Sequence, residues 1–286
     1  MSRASTVVIY EGPSLIDGKT PIVAILSGIT DPSSNAKTGP LAQLWVMLQD
    51  ASHGEGLKTG QDAGVCGACP FTGGNGCYVT GRSVSAIWKA YRAGAYGAPV
   101  DPSDAADMVL AQIRRGIIRG IRLGAYGDPV ALPLDVVERL AIPIRDAGAA
   151  VTGYTHAWRI EYRLAGQPEP DPEWRRYLMA SCHHRRDAES ARLQGWRPFT
   201  ILPEPPEGAD PHVWATNQAR AQGVALCPAG TERAEELRIS CASCGGCNGS
   251  KGLEDRRVGF GTTVHGNCVT LRAARKYQGA AGESCQ

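Results

Sequence analysis

Ile117-Ile118-Arg119-Gly120-Ile121-Arg122-Leu123-Gly124-Ala125-Tyr126-Gly127-Asp128-Pro129, continued by Leu134 to Asp146 and by Ala150 to Tyr154, decides the fold. An apolar β-branched run (117–123) ends in a glycine-rich turn. A segment with helical spacing follows, interrupted at Pro143, and then a second short apolar run. A strand, a helix and a second strand in succession read as a parallel βαβ unit.

The same alternation continues downstream. The pattern predicts strands at Tyr177–Ser181, Phe199–Leu202, Gly223–Leu226 and Val258–Val264, with a further short strand at Leu237–Ser240. It predicts helices at Arg185–Gly195, His212–Gln222 and Val269–Tyr277. Upstream, Val7–Tyr10, Pro21–Leu26 and Leu41–Leu48 read as strands or, for the last, a short helix. Ser83–Arg92 with Ser83 as N-cap and Asp101–Arg115 read as helices. Strand–helix units repeating at about 25 residues imply a parallel sheet, and their number favours a (β/α) barrel, partial or TIM-like. Residues 1–276 are expected to form one such domain, with cysteine-rich loops at 65–78 and 227–248, and 277–286 a disordered tail.

Barrel sites are built where strands end. Here the strand ends are followed by Gly127-Asp128-Pro129, Thr155-His156, Cys182-His183-His184, Cys227, the Cys241 group and His265-Gly266. Asp128, His156 and His265 are the candidate catalytic side chains. Each also has a plain structural reading: Asp128 as a turn or helix cap, His156 as a hydrogen-bonded core histidine. His183 and His184 cannot both face inward from an extended segment, and Cys182 and Cys268 suit buried packing.

Two groups of cysteines carry most of the chemistry. Cys66-x2-Cys69-x7-Cys77 lies among glycine, proline and asparagine, a composition that excludes regular structure and points to order imposed by something the thiolates hold. Cys227 with Cys241-x2-Cys244-x2-Cys247 offers four thiolates. Soft ligands at such spacing select zinc or iron–sulfur centres. Three ligands leave a position open, as a reactive centre requires, whereas four close a site. Spacing does not separate zinc from iron, and His265 is a possible further ligand. By contrast, Ser34-Asn35-Ala36-Lys37-Thr38-Gly39 lacks the spacing of a phosphate loop and carries little weight as a nucleotide site.

The chain has 286 residues, 43% hydrophobic and 20% charged, with a net charge of +2. These are values of a soluble globular protein. No apolar run reaches the ~20 residues that span a bilayer, and the first residues do not resemble a signal peptide. The expectation is a protein of the bacterial cytoplasm, or of a bacterial host cell if phage-encoded, without a membrane partner. Arginines cluster at 114, 115, 119 and 122, at 185 and 186, and at 256 and 257. They suit phosphate contacts or a solvated surface, and the small net charge argues against a dedicated nucleic-acid binder.

Arg122-Leu123-Gly124-Ala125-Tyr126-Gly127-Asp128-Pro129 and Leu132 to Leu140, preceded by a strand, a three-cysteine loop ending Cys77-Tyr78 and a helix, resemble the second strand and helix of radical S-adenosylmethionine (SAM) enzymes. The resemblance implies a [4Fe–4S] cluster on Cys66, Cys69 and Cys77, with Gly127 and Asp128 meeting the methionine end of SAM. It also implies an external electron donor. The family's usual loop is CxxxCxxC and its usual turn ends in Glu, so this chain departs at both places. Over about residues 25 to 270 the chain is also similar to phage-encoded cysteine-rich proteins with a Ser33-to-Gly39 type start and a late His265-Gly266, which implies no particular activity.

Three functions remain open on the residues alone. The first is a radical-SAM-like enzyme with a second cluster on Cys227, Cys241, Cys244 and Cys247, acting on a small-molecule or nucleic-acid substrate, with His156, His183 and His265 on the substrate side. The second is a zinc-containing barrel that exchanges nucleobases, with Asp128 as nucleophile or base. The third is a non-enzymatic zinc-knot protein that binds nucleic acid.

Overall fold

Three aliphatic strands open the chain: β1 (Val7–Pro13), β2 (Pro21–Ser27) and β3 (Ala42–Leu48). They pair as an antiparallel meander, so the expected all-parallel arrangement does not extend to the first two strands. The β1–β2 connection is too short for a helical crossover, and the longer β2–β3 connection, 28–41, forms turns and no helix. β2 is central, and its Ile22 to Leu26 are all fully buried, as expected of a strand covered on both faces. This computed structural model describes residues 5–72, 77, 79 and 81–263. His265, Cys268, the expected helix Val269–Tyr277 and the expected tail lie outside the described residues.

After β3 the order becomes α1 (His53–Thr59), α2 (Ala63–Cys66), α3 (Gly81–Arg92), α4 (Pro102–Arg114), β4 (Gly120–Tyr126), α5 (Leu134–Asp146), β5 (Ala150–Thr155), β6 (Met179–Cys182), α6 (Arg185–Leu193), β7 (Pro198–Leu202), α7 (Pro211–Ala221), β8 (Val224–Leu226), α8 (Cys241–Cys244) and β9 (Gly259–Thr263). The nine strands form one sheet in the order β1-β2-β3-β4-β5-β6-β7-β9-β8. Every pairing from β3 onward is parallel. The result is a mixed α/β fold on a mostly parallel sheet.

Because parallel crossovers are right-handed in nearly all proteins, sequential order from β3 to β7 places the connecting helices on one face. Packing agrees: α5 lies on β4 and β5, α6 on β6 and β7, and α7 on β7, β8 and β9. Along β4, Ile121, Leu123 and Ala125 are buried towards these helices, whereas Arg122 and Gly124 alternate to the other face. That other face receives α8, which packs on β5.

Several expectations shift. β4 begins at Gly120 rather than Ile117, because Ile117 still donates to the Gln112 carbonyl and finishes α4. The strand then runs through Tyr126, paired to Trp45, leaving Gly127-Asp128-Pro129 as the turn. Pro143 does not interrupt α5. Leu237–Ser240 is a turn and not a strand, with Ile239 donating to Ala234 and Arg238 at φ 51°. α3 starts at Gly81, so Ser83 lies inside the helix and does not cap it. α1 escaped the sequence reading although Ser52-x-x-Glu55 forms a capping box at its start.

Candidate metal and substrate site

The first cysteine loop is held by main-chain bonds on two sides. The expectation that it contains no regular structure fails at its start, because Val65 and Cys66 belong to the single turn of α2. The amide of Asp128 donates to the Val65 carbonyl at 2.7 Å, and the amide of Ala68 to the Tyr162 carbonyl at 3.0 Å. Cys69 and Thr72 close further turns onto Cys66 and Cys69. Residues 65–72 therefore owe their path to the ends of the neighbouring elements as well as to anything the thiols hold.

Burial pushes the Cys66 thiol well up, the Cys69 thiol up to about 12, and the Cys77 thiol up. The main charges acting on Cys66 are all negative: the Cys69 and Cys77 thiolates, Asp62 and Asp128. Thiols in such surroundings give up their protons to a cation, so the donor set fits a soft, positively charged centre. Among the described residues, no three His, Cys, Asp or Glu side chains already converge as a formed metal site. The fit rests on donor chemistry and mutual electrostatic reach.

Asp128 sits behind this loop. Gly127 turns the chain at φ +75°, where an added Cβ would stand 2.3 Å from the Val46 carbonyl oxygen. The Asp128 carboxylate then accepts from Thr155 Oγ1 at 2.8 Å, from the His156 amide at 2.9 Å and from the Val130 amide at 3.2 Å. It therefore caps the 3-10 turn Pro129–Ala131 and fastens the end of β4 to the end of β5. Burial pushes its pKa up to about 6 against the pull of these donors. The structural reading of Asp128 as a cap is correct as far as it goes. With three donors already on its oxygens, Asp128 is better placed to brace a site than to attack a substrate.

His156 and His183 stack with ring centroids 5.1 Å apart and planes 11° from parallel. Phe71, from the cysteine loop, presents an edge to His183 at 4.9 Å, and Tyr162 to both rings at 5.4 and 5.8 Å. Burial drives the pKa of His156 down to about 4 and that of His183 down to about 2. Both rings are neutral near pH 7, and the buried His156 Nε2 has no hydrogen-bond partner among the described residues.

His184 points elsewhere. It caps α6 through an Nδ1 that accepts from the Asp187 amide, so only one of the adjacent histidines is buried, as expected. Cys182 is fully buried with its Sγ on the Ala180 carbonyl. Buried Asp187 accepts from the His183 amide at 3.0 Å and is ion-paired to Arg159, which fixes the strand end that carries His183.

The second group lies by the opposite sheet face, where α8 packs on β5. Cys227 follows β8, its amide on the Gly261 carbonyl at 2.7 Å. α8 carries Cys241 and Cys244 behind a Ser240–Ser243 capping box, and Gly245 turns the chain towards Cys247 at φ 58°. Burial is the largest cause of the upward shifts at Cys227, to about 11, at Cys241, and at Cys247, to about 12, and neighbouring thiolates of the group add to each. Here cations compensate. Arg122 and Lys37 pull the Cys241 thiol down, and the Tyr154 hydroxyl hydrogen-bonds the Cys247 sulfur. This set also fits a metal.

The segment 34–39, set aside from the sequence, forms its outer wall. The amides of Cys241 and Ala242 donate to the carbonyls of Lys37 and Thr38 at 2.8 and 3.0 Å. Gly39 has no room for a side chain, because a Cβ would stand 2.4 Å from Ser240 Oγ. Buried Arg197 donates to the carbonyls of Gly246, Gly249 and Val258 and to Asn248 Oδ1, all at 2.9–3.0 Å. Neither role was legible beforehand. The one available sign of the wall was a lysine amid short polar residues, and Arg197 carries no local pattern.

Comparison with protein families, with curated proteins and with solved structures gave no match. Among the described residues, no helix is long and apolar enough to cross a membrane.

Proposed function

We propose that the chain is an iron–sulfur enzyme of radical-SAM-like type built on a partial (β/α) barrel. The observation that carries this reading is the bond between the Asp128 amide and the Val65 carbonyl. It joins the start of the loop that carries three cysteines to the glycine–aspartate turn that ends the next parallel strand, which supports a site between them. The sequential order from β3 to β7, with its connecting helices on one face, supports the barrel.

Cys66, Cys69 and Cys77 would hold the reactive cluster, and Cys227, Cys241, Cys244 and Cys247 an auxiliary one. A [4Fe–4S] cluster held there would supply one-electron reduction of bound SAM, with electrons from an external donor. Gly127 brings the backbone of the turn close to the loop, where a peptide carbonyl can meet an ammonium group. Asp128 holds that turn to β5. His156 and His183, neutral and walled by Phe71 and Tyr162, offer imidazole nitrogens to a substrate in a water-poor setting. Arg159 and Asp187 hold His183 in place.

The three hydrogen bonds already on Asp128 disfavour the base-exchange reading, in which this carboxylate is the nucleophile. The test is anaerobic purification followed by metal and sulfide analysis, then incubation with SAM and a reductant. Iron with acid-labile sulfide and release of 5′-deoxyadenosine, both lost in Cys66→Ala, are expected. A colourless protein containing only zinc would sink the proposal.

A further inference from the structure

The cavity at the opposite, amino-terminal end of the parallel strands has no place in the reaction proposed above. It encloses about 360 Å³, within the size range of small-ligand pockets. Arg119, Arg145 and Arg176 line it, together with Asn248 from the second cysteine segment. These arginines come from three separate places: the residue before β4, the last turn of α5 and the residues ahead of β6. No Asp or Glu is among the lining residues.

Their partners leave charge to spare. Arg119 is exposed and has no ion pair or side-chain hydrogen bond among the described residues, while its amide is pinned to the Pro40 carbonyl at 2.8 Å. Arg145 lies over the Tyr177 ring at 5.4 Å, and its contact with Asp146 is long, at 3.9 Å. Arg176 shares Glu173 at 2.6 Å. Asn248 uses Oδ1 to accept from Arg197 and Arg257, which turns its amide nitrogen into an additional donor.

We propose that this cavity binds the phosphate group of a nucleotide-sized ligand. Planar guanidinium forks match phosphate oxygens two at a time, and three of them around a pocket without carboxylates make an anion the complementary occupant. The lining contains no aromatic ring. A single-stranded nucleic acid, which is gripped by stacking its bases on such rings, therefore finds its phosphates read here but not its bases. Of the arginine cluster at 114–122, the structure thus divides the work: Arg119 opens into this cavity and Arg122 faces the cysteines of the second group.

Isothermal titration of the full chain with inorganic phosphate, with ADP and with a short oligo-dT tests the assignment. Phosphate and ADP should each bind saturably at one competitive site. Arg119→Gln should weaken both about tenfold or more, given what charged hydrogen bonds contribute. Arg185→Gln, on α6 and paired with Glu189, should leave binding unchanged. Arg145→Gln should weaken binding similarly, and if it fails to fold, exposed Arg119 remains the arbiter. Absence of saturable phosphate and ADP binding overturns the proposal, as does equal affinity in wild type and Arg119→Gln. Tight oligo-dT binding without phosphate or ADP binding overturns it too, in favour of a polymer.

Discussion

The amide of Asp128 donates to the carbonyl of Val65 at 2.7 Å, which makes the turn after β4 and the helical turn carrying Cys66 one mechanical unit. A residue far along the chain thereby sets where the first of three clustered thiols stands. The same strand serves the other cysteine group through Arg122, which acts on Cys241 from the opposite face. β4 is the element on which both groups depend.

Gly127 is the hinge of that unit. Its φ of +75° disfavours any side chain, and a Cβ would meet the Val46 carbonyl oxygen at 2.3 Å. Gly127→Ala is expected to lose roughly 1–3 kcal/mol from left-handed strain alone, with the backbone clash added. It should also displace the Asp128–Val65 bond. Chemical denaturation reads the first effect, and, if the Cys66 group holds metal as proposed, its metal content reads the second. A variant with wild-type midpoint and metal content would refute the argument.

Asp128 makes stability depend on pH in a definite direction. Its pKa rises from 3.8 unfolded to about 6 folded. Between those values the unfolded chain releases the proton while the folded one retains it, so this group's contribution declines as pH rises from about 4 to about 6 and stays constant above. The size is of order 3 kcal/mol. Asp128→Asn lacks this slope. Its deficit against wild type should be greatest near pH 4 and smaller at pH 7, measured by urea unfolding at both. A deficit that grows with pH would show that the carboxylate is ionised and stabilising.

Much of this was readable in the residues, and the unread parts share a cause. The βαβ unit at 117–154 and the parallel strands after it follow from apolar periodicity and turn chemistry, which act locally. The strand-end placement of Asp128 and His156 follows from the same pattern. The antiparallel start, the docking of 37–39 on α8 and the four bonds of Arg197 depend on partners distant in sequence, and composition carries no sign of them. The one-turn helix at Cys66 was hidden because its glycine-rich neighbours argue against any helix, yet Asp62 and Asp128 hold it from either side.

The stacked histidines give the opposite slope from Asp128. His156 and His183 fall from 6.5 to about 4 and about 2 when folded. Below pH 6.5 the unfolded chain takes up protons that the folded chain refuses, so stability is full above 6.5 and is lost as pH falls, for His156 until about 4. His156→Phe should gain on wild type progressively as pH falls from 6.5 to 4, by roughly 3 kcal/mol at the acid end. Thermal unfolding followed across that range checks it. A constant difference would mean that the His156 ring is charged or solvated in the folded protein.

If both cysteine groups hold metal as proposed, they should lose it independently, and Arg197 should belong to only one of them. Cys66→Ser with Cys69→Ser removes donors on the β4–β5 end, whereas Cys241→Ser with Cys244→Ser removes donors held by α8. No described hydrogen bond between side chains links the two sets, so each double variant should shed its own metal and keep the other. Buried Arg197 ties the chain beside Cys247 to the start of β9: its Nη1 shares two hydrogens among Gly246, Asn248 and Gly249, and its Nη2 donates to the Val258 carbonyl. Lysine retains the charge but cannot reach four acceptors as a planar fork does. Arg197→Lys should therefore copy the metal loss of the Cys241/Cys244 variant, lower stability by roughly 2–4 kcal/mol, and leave the metal at Cys66, Cys69 and Cys77 in place. Anaerobic metal analysis of the three variants side by side decides the matter. Equal loss from both groups in Arg197→Lys would mean that the groups form one centre, and full retention would mean that Cys247 is held by its thiolate alone.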